Sequence, residues 1–266
     1  LREPIRASYR GHEIICMPPP SSGGVHVAQI LQMMEIFPIS TLTTVDRVHL
    51  ITEAMKRAFA DRAHWLGDPD FASVPRGFVD PEYAATLARQ IDPQKATQVS
   101  GHGFPPNWEG DIFGKHTTHL CTADTEGNWV ALTQTINTAF GSKVVIPGTG
   151  VVMNNEMDDF SIQPGVPNAF KLVGAEANAV AAGKRPLSSM SPTLVLKNGK
   201  PILSVGAAGG PTIITQTLLA LSNILDHGMS PSEALAAPRF HHQWAPDELK
   251  IEKAFGQEAL KTLSEK

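Results

Sequence analysis

Several short stretches of the chain carry side chains capable of chemistry. Ser21-Ser22-Gly23-Gly24 precedes an apolar helix and offers free amides to an anion. It lacks the lysine and the spacing of a phosphate loop. His116, His119 and Cys121 are metal-ligand types, but side chains alternate along a strand. His119 and Cys121 therefore share a face and His116 takes the other, which argues against zinc. His241-His242, after Arg239-Phe240, reads as a satisfied structural pair. Glu156 and Asp158-Asp159 follow Val151-Val152-Met153, which is expected to be a buried strand, so the acidic cluster falls at a strand end where sites are often built. Gly206-Ala207-Ala208-Gly209-Gly210 lies between a strand and a helix start, where backbone N–H groups and the helix dipole can face a ligand.

The elements that position these groups follow from periodicity. Glu13–Cys16 reads as a short strand running into Met17-Pro18-Pro19-Pro20, which cannot be regular structure. Val25, Ala28, Ile30, Leu31 and Met34 recur at helical spacing, and Pro38 closes that helix. A second helix from Val45 to about Trp65 carries Val45, Val48, Ile51, Met55, Ala58 and Phe59 on one stripe. Residues 67–115 are rich in Pro, Gly and Asp, with a short helix around Ala84–Gln90. From Thr117 the period changes to two. Thr117–Asp124 and Trp129–Asn137 form a hairpin around Glu126-Gly127, and Thr193–Leu196 and Ile202–Val205 a second one around Asn198-Gly199. A helix from Pro211 to Gly228 follows, then another opened by the capping box Ser230-Pro231-Ser232-Glu233. The pattern is α+β, built in layers.

The 266 residues suffice for one large domain or two small ones, with a real core. Charged residues make up 18% against about 25% in ordinary soluble domains, which favours a compact body over disorder. A net charge of −4 leaves no footprint for nucleic acid or anionic lipid. No apolar run approaches the roughly 18 residues of a membrane span. Cys16 and Cys121 are expected to be separate buried thiols. Leu1-Arg2-Glu3-Pro4-Ile5 has no initiation logic, so the chain is expected to be a fragment or a processed product.

Read in order, six blocks resemble the gamma-glutamyltranspeptidases, a family of N-terminal nucleophile hydrolases. They are Pro18-Pro19-Pro20-Ser21-Ser22-Gly23-Gly24, Thr117-Thr118-His119, Asn154-Asn155-Glu156-Met157-Asp158-Asp159-Phe160, Arg185-Pro186-Leu187-Ser188-Ser189-Met190-Ser191-Pro192, Gly209-Gly210, and Ala237-Pro238-Arg239-Phe240-His241-His242-Gln243. By period alone Thr117 passes as β-branched strand filler.

The resemblance implies a four-layer αββα sandwich of the N-terminal nucleophile type. Residues 1–116 would end a large subunit and 117–266 would begin a small one, both forming one domain after self-cleavage between His116 and Thr117. Chemistry agrees with that position. A threonine hydroxyl needs a base, and an α-amino group of pKa near 7.7–8.0 serves as one on its own residue. Pairing arithmetic agrees too, because a turn at 125–128 sets Thr117 across from residues 135–137. The family pattern matches Thr135 with the threonine that bonds the nucleophile and Asn137 with a substrate contact. It matches Glu156 and Asp159 with holders of a substrate α-amino group, Ser188 and Ser189 with the α-carboxylate site, and Gly209 and Gly210 with the oxyanion hole. Ala175–Gly183 is expected to belong to a mobile cover.

The implied reaction moves a γ-glutamyl group from glutathione or another γ-glutamyl amide to water or an amino acid, without cofactor or metal, in the periplasm or outside the cell. The family's carboxylate-gripping arginine belongs to a block upstream of Leu1. Alternatives are a related acylase acting on a glutaryl-cephalosporin or poly-γ-glutamate, and a non-catalytic relic of the fold. Glu156 and Asp159 favour a substrate with an α-amino group, since a glutaryl chain has no cation for them.

Overall fold

In the computed structural model, residues 2–105, 117–168 and 170–266 are described. The chain opens with a hairpin, β1 (Ile5–Tyr9) and β2 (His12–Cys16). It continues through the proline-rich turn into α1 (Gly23–Met34), then α2 (Thr44–Trp65) and α3 (Pro81–Ala88). Next come the hairpin β3 (Thr118–Ala123) and β4 (Trp129–Gln134) and, after a long irregular stretch, the hairpin β5 (Thr193–Lys197) and β6 (Lys200–Val205). The chain closes with α4 (Thr212–Leu225), α5 (Pro231–Ala236), the short pair β7 (Phe240–His241) and β8 (Lys250–Ile251), and α6 (Gln257–Ser264).

The main sheet is antiparallel, in the order β1-β2-β5-β6. Its inner face carries Ala7, Tyr9, Ile14, Cys16 and Val195, all buried beneath the helices. Asn198 and Gly199 both have positive φ, as the tight hairpin turn of β5–β6 requires. Every residue of α1 is buried, so it is a core helix rather than an amphipathic one. Its glycines explain how close it sits: a Cβ on Gly24 would fall 1.9 Å from the Met17 carbonyl oxygen, and one on Gly23 2.1 Å from that of Met190. This close packing, rather than anion binding, accounts for Gly23-Gly24. Ser230 and Glu233 form the expected capping box of α5.

The structure corrects three expectations and adds one strand. Val151-Val152-Met153 makes only an isolated bridge through Val152 to Val145, and Val151 and Met153 are exposed. Cys16 is buried, but Cys121 is exposed on β3. Within Ala175–Gly183, Asn178 is buried and bonded on both sides, so this part of the segment is a brace rather than a free cover. Finally, Ile5–Tyr9 is a strand that the periodicity of the sequence did not reveal.

Candidate active site

Thr117 stands immediately before β3. Because Thr118 pairs with Gln134, Thr117 and Thr135 are next in the register. Thr135 Oγ1 accepts from the Asn137 backbone N–H at 3.0 Å. Asn137 has φ of +76°, a left-handed conformation that asparagine tolerates better than most residues. That bend aims its side-chain amide at the acidic turn, where Nδ2 donates to Asp159 Oδ1 and to the Asn155 carbonyl, each at 3.2 Å.

Asp159 ends the single helical turn Glu156–Asp159. Its carbonyl accepts from Asn178 Nδ2 at 2.8 Å, while Asn178 Oδ1 accepts from the Leu187 N–H at 2.9 Å. One buried amide thus fixes the acidic turn against the residue that precedes the serine pair. Arg185 anchors the same block from the other side, its Nε and backbone N–H both donating to the buried Asp68 at 2.9 Å. Ser188 lies beside the proline-rich turn through two backbone bonds, Ser188 N–H to the Pro20 carbonyl at 2.9 Å and Ser22 N–H to the Ser188 carbonyl at 2.8 Å.

Gly209 and Gly210 occupy the corner between β6 and α4, with φ of +126° and +60°. Among the described residues, neither N–H is consumed by a backbone acceptor. Phe170 lies against Gly210, where a Cβ would come 2.9 Å from its ring.

These pieces converge. A single small cleft is lined by Thr117, Thr135, Asn137, Asp159, Ser188, Ser189 and Gly210. Gly209 and Glu156 lie outside its lining, Glu156 being the buried first residue of the acidic turn. His116, and with it the bond to Thr117, lies outside the described residues. The cleft also includes Arg62, Asn168 and Phe170, which sequence reasoning did not single out. A signal for Arg62 existed: it follows Met55, Ala58 and Phe59 at helical spacing, a charge placed on the apolar stripe of α2. Burial pushes the Arg62 guanidinium down to about 10, and the charge of Asp159 opposes that shift. Arg62 therefore remains a cation at neutral pH, across the cleft from a carboxylate.

The histidines are occupied elsewhere. His119 uses Nδ1 on Thr133 Oγ1 at 2.8 Å and Nε2 on Cys121 Sγ at 3.1 Å. His241 spends both ring nitrogens, on Thr215 and Gln243, and His242 lies 3.1 Å from Asp247. Burial lowers the pKa of His241 and pushes that of His242 down to about 4, consistent with structural roles.

A helical layer over an antiparallel sheet, with a threonine at the mouth of a second hairpin, is the architecture of the N-terminal nucleophile hydrolases. The gamma-glutamyltranspeptidase family model matches residues 1–266, and the chain belongs to that family. It is 47% identical over 268 residues to the glutathione hydrolase proenzyme of Escherichia coli (strain K12), a match covering 100% of this chain and 46% of that protein. It is 55% identical to a threonine-to-alanine mutant of Helicobacter pylori gamma-glutamyltranspeptidase, with a TM-score of 0.55 over 56% of this chain and 81% of that one. A cephalosporin acylase from Bacillus halodurans superposes with a TM-score of 0.82 at 30% identity, over 99% of this chain and 45% of that one. The chain spans about half the length of the curated relatives it matches.

Proposed function

We propose that the full-length protein hydrolyses or transfers the γ-glutamyl group of glutathione and related γ-glutamyl amides. The observation that carries this reading is one cleft bringing a threonine hydroxyl, a carboxylate and a buried serine pair together. An α-amino acid head group needs that combination: an acceptor for its ammonium, donors for its carboxylate and a nucleophile within reach of the γ-carbonyl.

Self-cleavage between His116 and Thr117 divides the precursor into two subunits and frees the Thr117 α-amine. That amine takes the hydroxyl proton as Oγ1 attacks the γ-carbonyl. The tetrahedral oxyanion is met by the N–H of Gly210, assisted by Gly209 and the positive end of α4. Thr135 supports the nucleophile from the facing strand. The amine product departs with a proton, leaving a γ-glutamyl ester on Thr117. Water or an amino acid then attacks that ester and regenerates the hydroxyl. Throughout, Asp159, held by Asn137 and backed by Glu156, keeps the substrate ammonium in place, and Ser188 and Ser189 hold the carboxylate.

A glutaryl substrate, as in the acylase reading, brings no cation to Asp159. The test follows from that difference. A charge-assisted hydrogen bond is worth about 1.5–3 kcal/mol. Asp159→Ala is therefore expected to raise KM for a γ-glutamyl anilide by about 10–100-fold while leaving the matching glutaryl anilide nearly unchanged. Equal losses on both would make the acidic turn a structural feature only.

A further inference from the structure

Arg62 is buried, it lines the cleft, and its partners are unusual for a buried cation. Among the described residues no carboxylate lies within ion-pair distance of it. Its hydrogen bonds go to two serine hydroxyls, from Nε to Ser22 Oγ at 3.0 Å and from Nη2 to Ser189 Oγ at 3.3 Å. These use two of the five donors of a guanidinium. The charge of Asp159 reaches it only from beyond ion-pair distance, and a buried cation compensated so remotely is costly to keep, so it marks a place where an anion arrives.

The hydroxyl directions extend the argument. Ser22 Oγ accepts from Arg62 and sends its own proton to the Ser188 carbonyl at 2.7 Å. Ser188 Oγ accepts from the Met190 N–H at 3.2 Å, and Ser189 Oγ accepts from Arg62. Both members of the serine pair are thus acceptors toward the protein, and among the described residues neither O–H is given to a protein acceptor. A pair wired this way selects an acceptor-only ligand such as a carboxylate. Resting on the γ-glutamyl reading above, we infer that Arg62 is the positioning residue of the carboxylate subsite, orienting the Ser189 hydroxyl directly and the Ser188 segment through Ser22. The same role explains Ser22 in the proline-rich turn, a motif the reaction itself leaves unused.

The test uses the full-length precursor and two anilides, γ-glutamyl and 4-aminobutanoyl, which differ only by the α-carboxylate. For each variant, maturation into two fragments is checked by intact mass, and the ratio of kcat/KM for the two substrates is measured. Arg62→Met is expected to lower that ratio about 10–100-fold, mostly through KM for the γ-glutamyl anilide. Arg62→Lys keeps the charge but not the planar fork, so it should lower the ratio less. If Arg62→Met fails to mature, Ser22→Ala decides, with a smaller fall in the same ratio expected. A parent enzyme that favours the γ-glutamyl anilide, with ratios unchanged in the variants or both substrates lost equally, overturns the role of Arg62 alone. A parent that treats both anilides alike overturns the substrate reading and this role with it.

Discussion

The two walls of the cleft are built differently. One comes from α2 and the serine block and is deeply buried, with Arg62 at 5% exposure and Ser22 behind it at 0%. The other comes from the β3–β4 hairpin and the chain after it. There Leu120, Val130, Leu132, Phe140 and Ile162 all stand exposed, Ile162 at 80%. An apolar band of this kind marks a surface that other protein covers, and the curated relatives run to about twice this length. The wall of Arg62 and the serine pair is therefore buried within the helical core, whereas the wall that carries Thr117 leaves apolar side chains open.

The strongest way to break this comparison is at the exposed wall. Thr117→Ala in the full-length precursor should abolish both maturation and γ-glutamyl release, giving one uncut chain by intact mass. A matured, active Thr117→Ala protein would place the chemistry elsewhere. Next in size is the corner between the walls. Gly210→Ala meets both a positive φ and the Phe170 ring, so its N–H should swing away from the cleft. Loss of an oxyanion donor costs about 10²–10³ in kcat, and kinetics on the matured variant should show that fall with a much smaller change in KM. An unchanged kcat would assign the oxyanion to another donor.

The buried wall should respond to pH through His26, whose ring sits between Phe59 and Phe78 with Nδ1 on Gln29 Oε1 at 3.0 Å. Burial pushes its pKa down from 6.5 to about 3. Below pH 6.5 the unfolded chain binds a proton that the folded one refuses. The stability this gives is therefore full above pH 6.5 and is lost as pH falls toward 3, by about 1.4 kcal/mol per pH unit. Denaturant melts at pH 7.5 and 5.5 should show the loss, and His26→Leu should flatten the slope by that amount. Parallel slopes would mean that His26 titrates freely.

Legibility in the sequence divides along the same line. Helices with apolar stripes, the Asn198-Gly199 turn and the Ser230–Glu233 capping box are local signals, and each lies where the periodicity puts it. The β3–β4 register also follows from turn position alone. Arg62 escaped notice because period arithmetic assigns its face of α2 to the core, and only the fold reveals that this face reaches a cleft. Ile5–Tyr9 escaped because Arg6, Ala7 and Ser8 give little β-branched or alternating signal. Val151–Met153 misled in the other direction: an apolar run says nothing about which partner covers it. Of the site, the family pattern names seven of the residues that share the cleft, while the hydrogen bonds that orient them are long-range and invisible to any local pattern.

The central claim is that Thr117 Oγ1 carries the γ-glutamyl group. Rapid quenching of the full-length, matured enzyme during turnover of a γ-glutamyl anilide, followed by mass mapping, tests it most directly. The account predicts that the fragment beginning at Thr117 gains one glutamyl residue, localised to that threonine and lost on further incubation with water or an amino acid. A glutamyl adduct on any other residue, or turnover by a chain still joined at His116–Thr117, would contradict it.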